Sequence, residues 1–116
     1  MTNEKVYQMR FSKIYPLLVN KATRKGRLQA EVNEVISWLT GYSADRITEL
    51  SESETTYAEF FEQAPHLNEN RALITGKVCG INVEDIKEPL MREIRCLDKL
   101  IDELARGKSM DKILRK

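Results

Sequence analysis

The stretch from Glu88 to Gly107, EPLMREIRCLDKLIDELARG, constrains the fold more than any other part of the chain. Leu90, Ile94, Leu97, Ile101 and Leu104 recur at spacings of four and three, which puts all five on one stripe of a helix. Pro89 suits the first helical position, where a missing N–H costs no hydrogen bond. Gly107 suits the position just past the end, where the left-handed conformation is cheap for glycine. Leu100 lies beside the stripe, and Met91 and Cys96 widen it beyond one seam. That breadth raises the expectation of a homodimer built partly on the helix 89–106.

The other elements are shorter. Ser12 is placed to cap a helix Lys13–Arg24, with Pro16 in its first turn and Ile14, Leu17, Leu18 and Ala22 inward. A second helix is expected over Leu28–Thr40, with Leu28, Val32, Val35, Ile36 and Leu39 inward, Trp38 beside them and Gly41 as terminator. Ser43–Leu50 reads as a short helix, and 51–54 as an acidic connector. Thr56 and Glu59 have the spacing of a capping box before a helix Tyr57–Ala64, which Pro65 stops. Ser109 is placed to cap a last turn, Met110–Leu114. Residues 1–10 read as an arm, docked on the body or partly disordered.

Arg71–Cys79 carries both signals. Its β-branched residues and Gly76 suggest a strand, and its asparagine caps and Gly80 suggest a helix. The helix is favoured because no second strand is evident to pair with it; a short hairpin near 71–83 is the alternative. The expected class is therefore all-α. The chain would form one domain, 1–116, a compact bundle of about five or six helices with one long C-terminal helix.

Composition narrows the function. The 116 residues carry 19 basic and 18 acidic side chains, net charge +1, so there is no global pull toward nucleic acid or an anionic membrane. Cys79 and Cys96 form no CxxC and read as reduced thiols. With no apolar signal core and no membrane-length apolar run, a cytoplasmic location is expected. Catalytic signals are thin. His66 is the only histidine and falls in a loop. Cys79 has no base near it in sequence, and GKVCG lacks P-loop spacing. Asp98, Asp102 and Glu103 read as a solvated face. No cofactor or metal is expected.

Four phrases are distinctive: YPLLVNKATRKGR at 15–27, EVNEVISWLTGY at 31–42, FFEQAPHLNENRALITGKVCG at 60–80 and PLMREIRCLDKLIDELARGKSMDKILRK at 89–116. Together they resemble a family of small bacterial proteins catalogued as a domain of unknown function, number twenty-two hundred. The resemblance implies a cytosolic prokaryotic protein and brings no activity, cofactor or catalytic residue with it. The family tends to have threonine, a helix cap, where this chain has Leu28.

Three features are candidates for function. Residues 72–88 carry helix-turn-helix spacing in Gly76, Gly80, Ile81 and Ile86, which would make Lys77, Asn82 and Lys87 nucleic-acid contacts. Against this, Glu84 and Glu88 would meet phosphate with repulsion. Lys21, Arg24, Lys25 and Arg27 form a basic run at a helix end, either a solvated terminus or an anion or RNA contact. Trp38, Tyr42, Asn70, Arg71 and Cys79 are the candidate ligand or partner contacts. The reading is a small non-enzymatic binding or protein-interaction module, with nucleic-acid binding through 72–88 as the alternative.

Overall fold

The computed structural model describes residues 3–78 and 80–115, among which there are seven α-helices and one hairpin. In chain order these are α1 (Asn3–Gln8), α2 (Phe11–Thr23), α3 (Gln29–Thr40), α4 (Ala44–Ser51) and α5 (Tyr57–Glu62). A 3-10 turn, Glu69–Leu73, leads into β1 (Lys77–Val78) and β2 (Ile81–Asn82). A second 3-10 turn, Val83–Asp85, precedes α6 (Pro89–Ala105) and α7 (Met110–Ile113). The class is the expected one, a helical protein with a long helix near its C-terminus; α1, α5 and α7 are the shortest helices.

Helix α6 is the central element. It packs against α2, α3, α5, α7 and the hairpin region. Ile94, Leu97, Ile101 and Leu104 are buried as expected, and Leu90 is half-buried at the first turn. Met91, Cys96 and Leu100 are buried too. The breadth of the stripe is thus covered within one protomer, because neighbours close on several sides of the helix. Pro89 sits in the first turn and Gly107, at φ +88°, follows the end.

Helix α2 starts before Ser12. Its N-cap is Arg10, in an isolated bridge with Thr56. The Phe11 N–H donates to the Thr55 carbonyl at 2.8 Å, and the Tyr57 N–H donates to the Met9 carbonyl at 2.7 Å. A distant segment satisfies the free end that a side-chain cap was expected to serve. Phe11 is thereby fixed in the core, stacked on Phe60 at 4.1 Å between centroids. Phe60 also meets Phe61 edge-on at 5.3 Å and Tyr42 at 4.9 Å. Leu17 and Leu28, expected inward, are 61% and 64% exposed. Tyr15 takes the buried position on α2, and Leu28 lies just outside α3 as its N-cap, beyond the helical stripe. Within the segment expected as an arm, docked or partly disordered, Asn3–Gln8 form α1, which lies against α5.

Capping follows the sequence in two places. The Ser43 hydroxyl accepts from the Arg46 N–H, and Thr56 with Glu59 makes the reciprocal box. The Ser109 side chain makes no cap bond on α7. At α3 the Glu31 carboxylate accepts from the Leu28 N–H, half of a capping box that leucine cannot complete. Helix α3 ends at Gly41, φ +85°, where the loop 65–68 closes over its C-terminus. The His66 and Asn68 N–H groups donate to the Thr40 and Leu39 carbonyls, both at 3.0 Å.

The favoured helix over 71–79 does not form. Residues 69–73 make a 3-10 turn, and 77–82 make an antiparallel hairpin pairing Lys77 with Asn82 and Val78 with Ile81. The strand's partner is the strand that follows it directly rather than one elsewhere in the chain. Gly76 and Gly80, at φ +102° and +80°, adopt conformations that an α-helix interior does not contain. The helix-turn-helix reading of 72–88 falls with it, since its first helix is replaced by a turn and strands.

Candidate functional site

A cleft of about 370 Å³ opens between the 3-10 turn and the N-terminal half of α6. Glu69, Arg71 and Ala72 form one wall, and Pro89, Arg92, Glu93 and Cys96 form the other. The α6 residues share a face because 89, 92, 93 and 96 are spaced by three and four. On the opposite wall, Asn68 initiates the turn by accepting from the Asn70 N–H at 2.8 Å. That turn brings Arg71 over α6.

The charges in the cleft are balanced. One guanidinium nitrogen of Arg71 donates to the Asn68 carbonyl at 2.8 Å, and another lies 3.7 Å from Glu93. Arg71 is therefore held in place rather than free to swing. Burial raises the Glu93 carboxyl above the usual carboxylate range, against the pull of Arg71. Arg92 is half-buried and has no ion pair among the described residues. At the base, burial pushes the Cys96 thiol up to about 11, so it is a protonated, weakly nucleophilic group at neutral pH.

Of the residues expected to contact a ligand or partner, Arg71 alone among the described ones lines this cleft. Tyr42 is core: it is buried, and its hydroxyl donates to the Phe60 carbonyl at 2.7 Å. Asn70 donates to the Arg115 carbonyl at 3.3 Å and ties the turn to the C-terminal segment. Trp38 lines a separate, shallower groove on α3 with Ala30, Asn33, Ser37 and Leu114. Cys79 lies outside the described residues. The sequence assigns no ligand-contact role to Arg92, Glu93 or Cys96: their spacing on α6 is visible, but the segment whose 3-10 turn makes their face concave carries helical signals.

The alternative nucleic-acid contacts do not converge on a groove-reading helix. Lys77 and Asn82 are cross-strand partners, and the Lys77 carbonyl accepts from Lys99 Nζ at 3.2 Å. The Asn82 side chain donates to Asp85 at 3.2 Å, and Lys87 is exposed in the connection to α6. Glu84 accepts from the Gly76 N–H at 3.0 Å, which lowers its carboxyl pKa and fixes a negative charge beside the hairpin.

Two further clusters lie along α6. Glu103, expected on a solvated face, is buried at 6% exposure. Arg115 returns from α7 and grips it with both terminal nitrogens, at 2.7 and 2.8 Å, while Lys108 stands 3.5 Å away. At the C-terminal ends of α2 and α6, Lys21, Arg24, Lys25 and Arg106 line a cleft with Asp102 and Ala105. Among the described residues there is no group of three or more His, Cys, Asp or Glu arranged to hold a metal. No helix of the structure is long and apolar enough to cross a membrane.

The family model described as an uncharacterized protein conserved in bacteria, DUF2200, matches residues 5–115. Among curated proteins none matches. The crystal structure of uncharacterized protein SP1917 is similar over nearly its whole length. It shares 44% sequence identity with this chain, covers 97% of this chain and 93% of its own, and superposes with a TM-score of 0.92.

Proposed function

The chain belongs to the DUF2200 family of uncharacterized bacterial proteins, and from that premise we propose that it is a small non-enzymatic binding module of the bacterial cytoplasm. Its site is the cleft between the 3-10 turn and α6. The observation that carries this reading is the convergence of Arg71, Arg92, Glu69 and Glu93 on one concave space that Ala72 and Pro89 also line. Two cations and two anions beside the apolar Ala72 and Pro89 suit a ligand carrying both charges, such as a free amino acid or a peptide terminus. A polyanion would meet Glu69 and Glu93.

Catalysis is disfavoured by the site's own chemistry. The thiol is held protonated, and His66, exposed in the loop over the end of α3, is not among the residues that line the cleft. A thermal-shift and NMR screen of amino acids and dipeptides tests the reading. A binder should shift amides of residues 69–72 and 89–96 and lose affinity in Arg92→Ala. Saturation elsewhere, or no binder at millimolar concentration, would refute it.

A further inference from the structure

The basic cleft at the C-terminal ends of α2 and α6 holds more positive charge than the fold uses. Helix C-termini carry roughly half a negative charge each, and one cation near each end offsets it. At the end of α6 that role is already filled. Arg27 donates from Nη1 to the Leu104 and Lys108 carbonyls at 3.1 and 2.8 Å, with Glu31 holding the other side of its guanidinium. The main-chain groups at the end of α2 are met within the chain, by the Arg24, Lys25, Gly26 and Arg27 N–H groups.

Lys21, Arg24, Lys25 and Arg106 remain, with Asp102 as the one acid lining the cleft. Asp102 lies 3.4 Å from Lys21 and accepts from Arg106 at 3.0 Å. Arg24 and Lys25 are exposed and have no ion pair among the described residues. Four cations and one carboxylate leave a formal surplus of three charges. On a chain of net charge +1 the rest of the surface is correspondingly negative, so the field is concentrated here.

We propose that this cleft binds a compact free polyanion of the oligophosphate class. The cations come from the last turn of α2 and from the residues just past the ends of α2 and α6, and they line one cleft with Asp102 and Ala105, a pocket rather than the extended stripe that a nucleic-acid backbone follows. Lysine and arginine present several N–H donors each, so Lys21 and Arg106 keep donors for a ligand after contacting Asp102. Asp102 acts as a resident anion that holds both side chains in place and competes with the incoming charge.

Titration of the full-length protein with inorganic tripolyphosphate at low salt, followed by calorimetry and amide NMR, tests the site. Binding should perturb residues 21–25 and 102–106, exceed that of orthophosphate, and weaken as salt rises. Arg24→Glu with Lys25→Glu, both on the exposed surface, should weaken it by about tenfold or more. Asp102→Asn should tighten it several-fold, which cations serving only the helix ends would not do. Absence of binding, or affinity unmoved by both variants, overturns the proposal. So does association with anionic phosphatidylglycerol vesicles without tripolyphosphate binding, because it would mean a surface patch rather than a pocket.

Discussion

Replacing Arg115 with alanine should destabilise the protein far more than its place near the C-terminus suggests. The guanidinium makes two parallel bonds to Glu103, 2.7 and 2.8 Å, and donates to the Ile113 carbonyl at 2.7 Å. Its side chain is 16% exposed and that of Glu103 is 6%. Removing one partner of a buried pair typically costs 3–5 kcal/mol, because a charge is left in a low-dielectric setting. Here Lys108 remains 3.5 Å from the carboxylate and is 41% exposed, so it screens part of that loss. The expected cost is about 2–3 kcal/mol, or a fall in Tm of about 8–12 °C at about 4 °C per kcal/mol for a domain of this size. Urea unfolding measures it. The double variant Glu103→Gln, Arg115→Met removes the charge along with its partner and should lose less than Arg115→Ala alone. If the single variant costs under about 0.5 kcal/mol, or less than the double, the buried carboxylate is not what Arg115 holds.

Three other outcomes are expected. Gly41→Ala should cost more than a usual glycine substitution: φ is +85°, and an added Cβ would sit 2.9 Å from the His66 backbone nitrogen, so chemical unfolding should show a loss of about 2 kcal/mol or more. Glu93 has a raised folded pKa, so its charged form is disfavoured in the fold. Its unfavourable contribution is absent below the unfolded value and grows as pH rises through the carboxylate range toward the folded one. Glu93→Gln should therefore match the parent near pH 3 and gain on it by pH 7; the opposite trend in Tm would show that the Arg71 pairing wins. Because α6 buries its apolar stripe inside one protomer apart from half-buried Leu90, sedimentation at tens of micromolar should read the 13.5 kDa monomer, and a salt-resistant dimer would point to another surface, with exposed Leu73 and Ile81 the first to test.

Local signals were readable wherever neighbours in sequence decide the outcome. Pro89, the five-residue stripe and Gly107 define α6, and the Thr56–Glu59 box starts α5 as its spacing says. Misreadings occurred where a distant segment decides. Phe11 begins α2 because residues 55–57 pair with 9–11, and nothing in the neighbourhood of Ser12 announces that. Glu103 sits at a position that periodicity assigns to a charged face, and it is buried because Arg115, twelve residues on, closes over it. The candidate cleft was half legible. Arg71 and the Arg92–Cys96 face were in plain view, but the 3-10 turn opposite them looked helical. The basic run 21–27 was visible as charge, whereas Arg106 and Asp102, which turn it into a cleft, come from α6.

The central place of α6 also sets an order of events at the ribosome. Synthesis delivers α2 to α5 before the helix they are to enclose, so Phe11, Leu18, Val35, Leu39 and Phe60 must wait with an incomplete cover until 89–105 have emerged. Arg115 follows later still, and only then does Glu103 receive its counter-ion. Acquisition of the native state therefore waits until 89–115 have emerged. A chain stalled before α6 would present its apolar surface to chaperones and proteases rather than a stable partial structure.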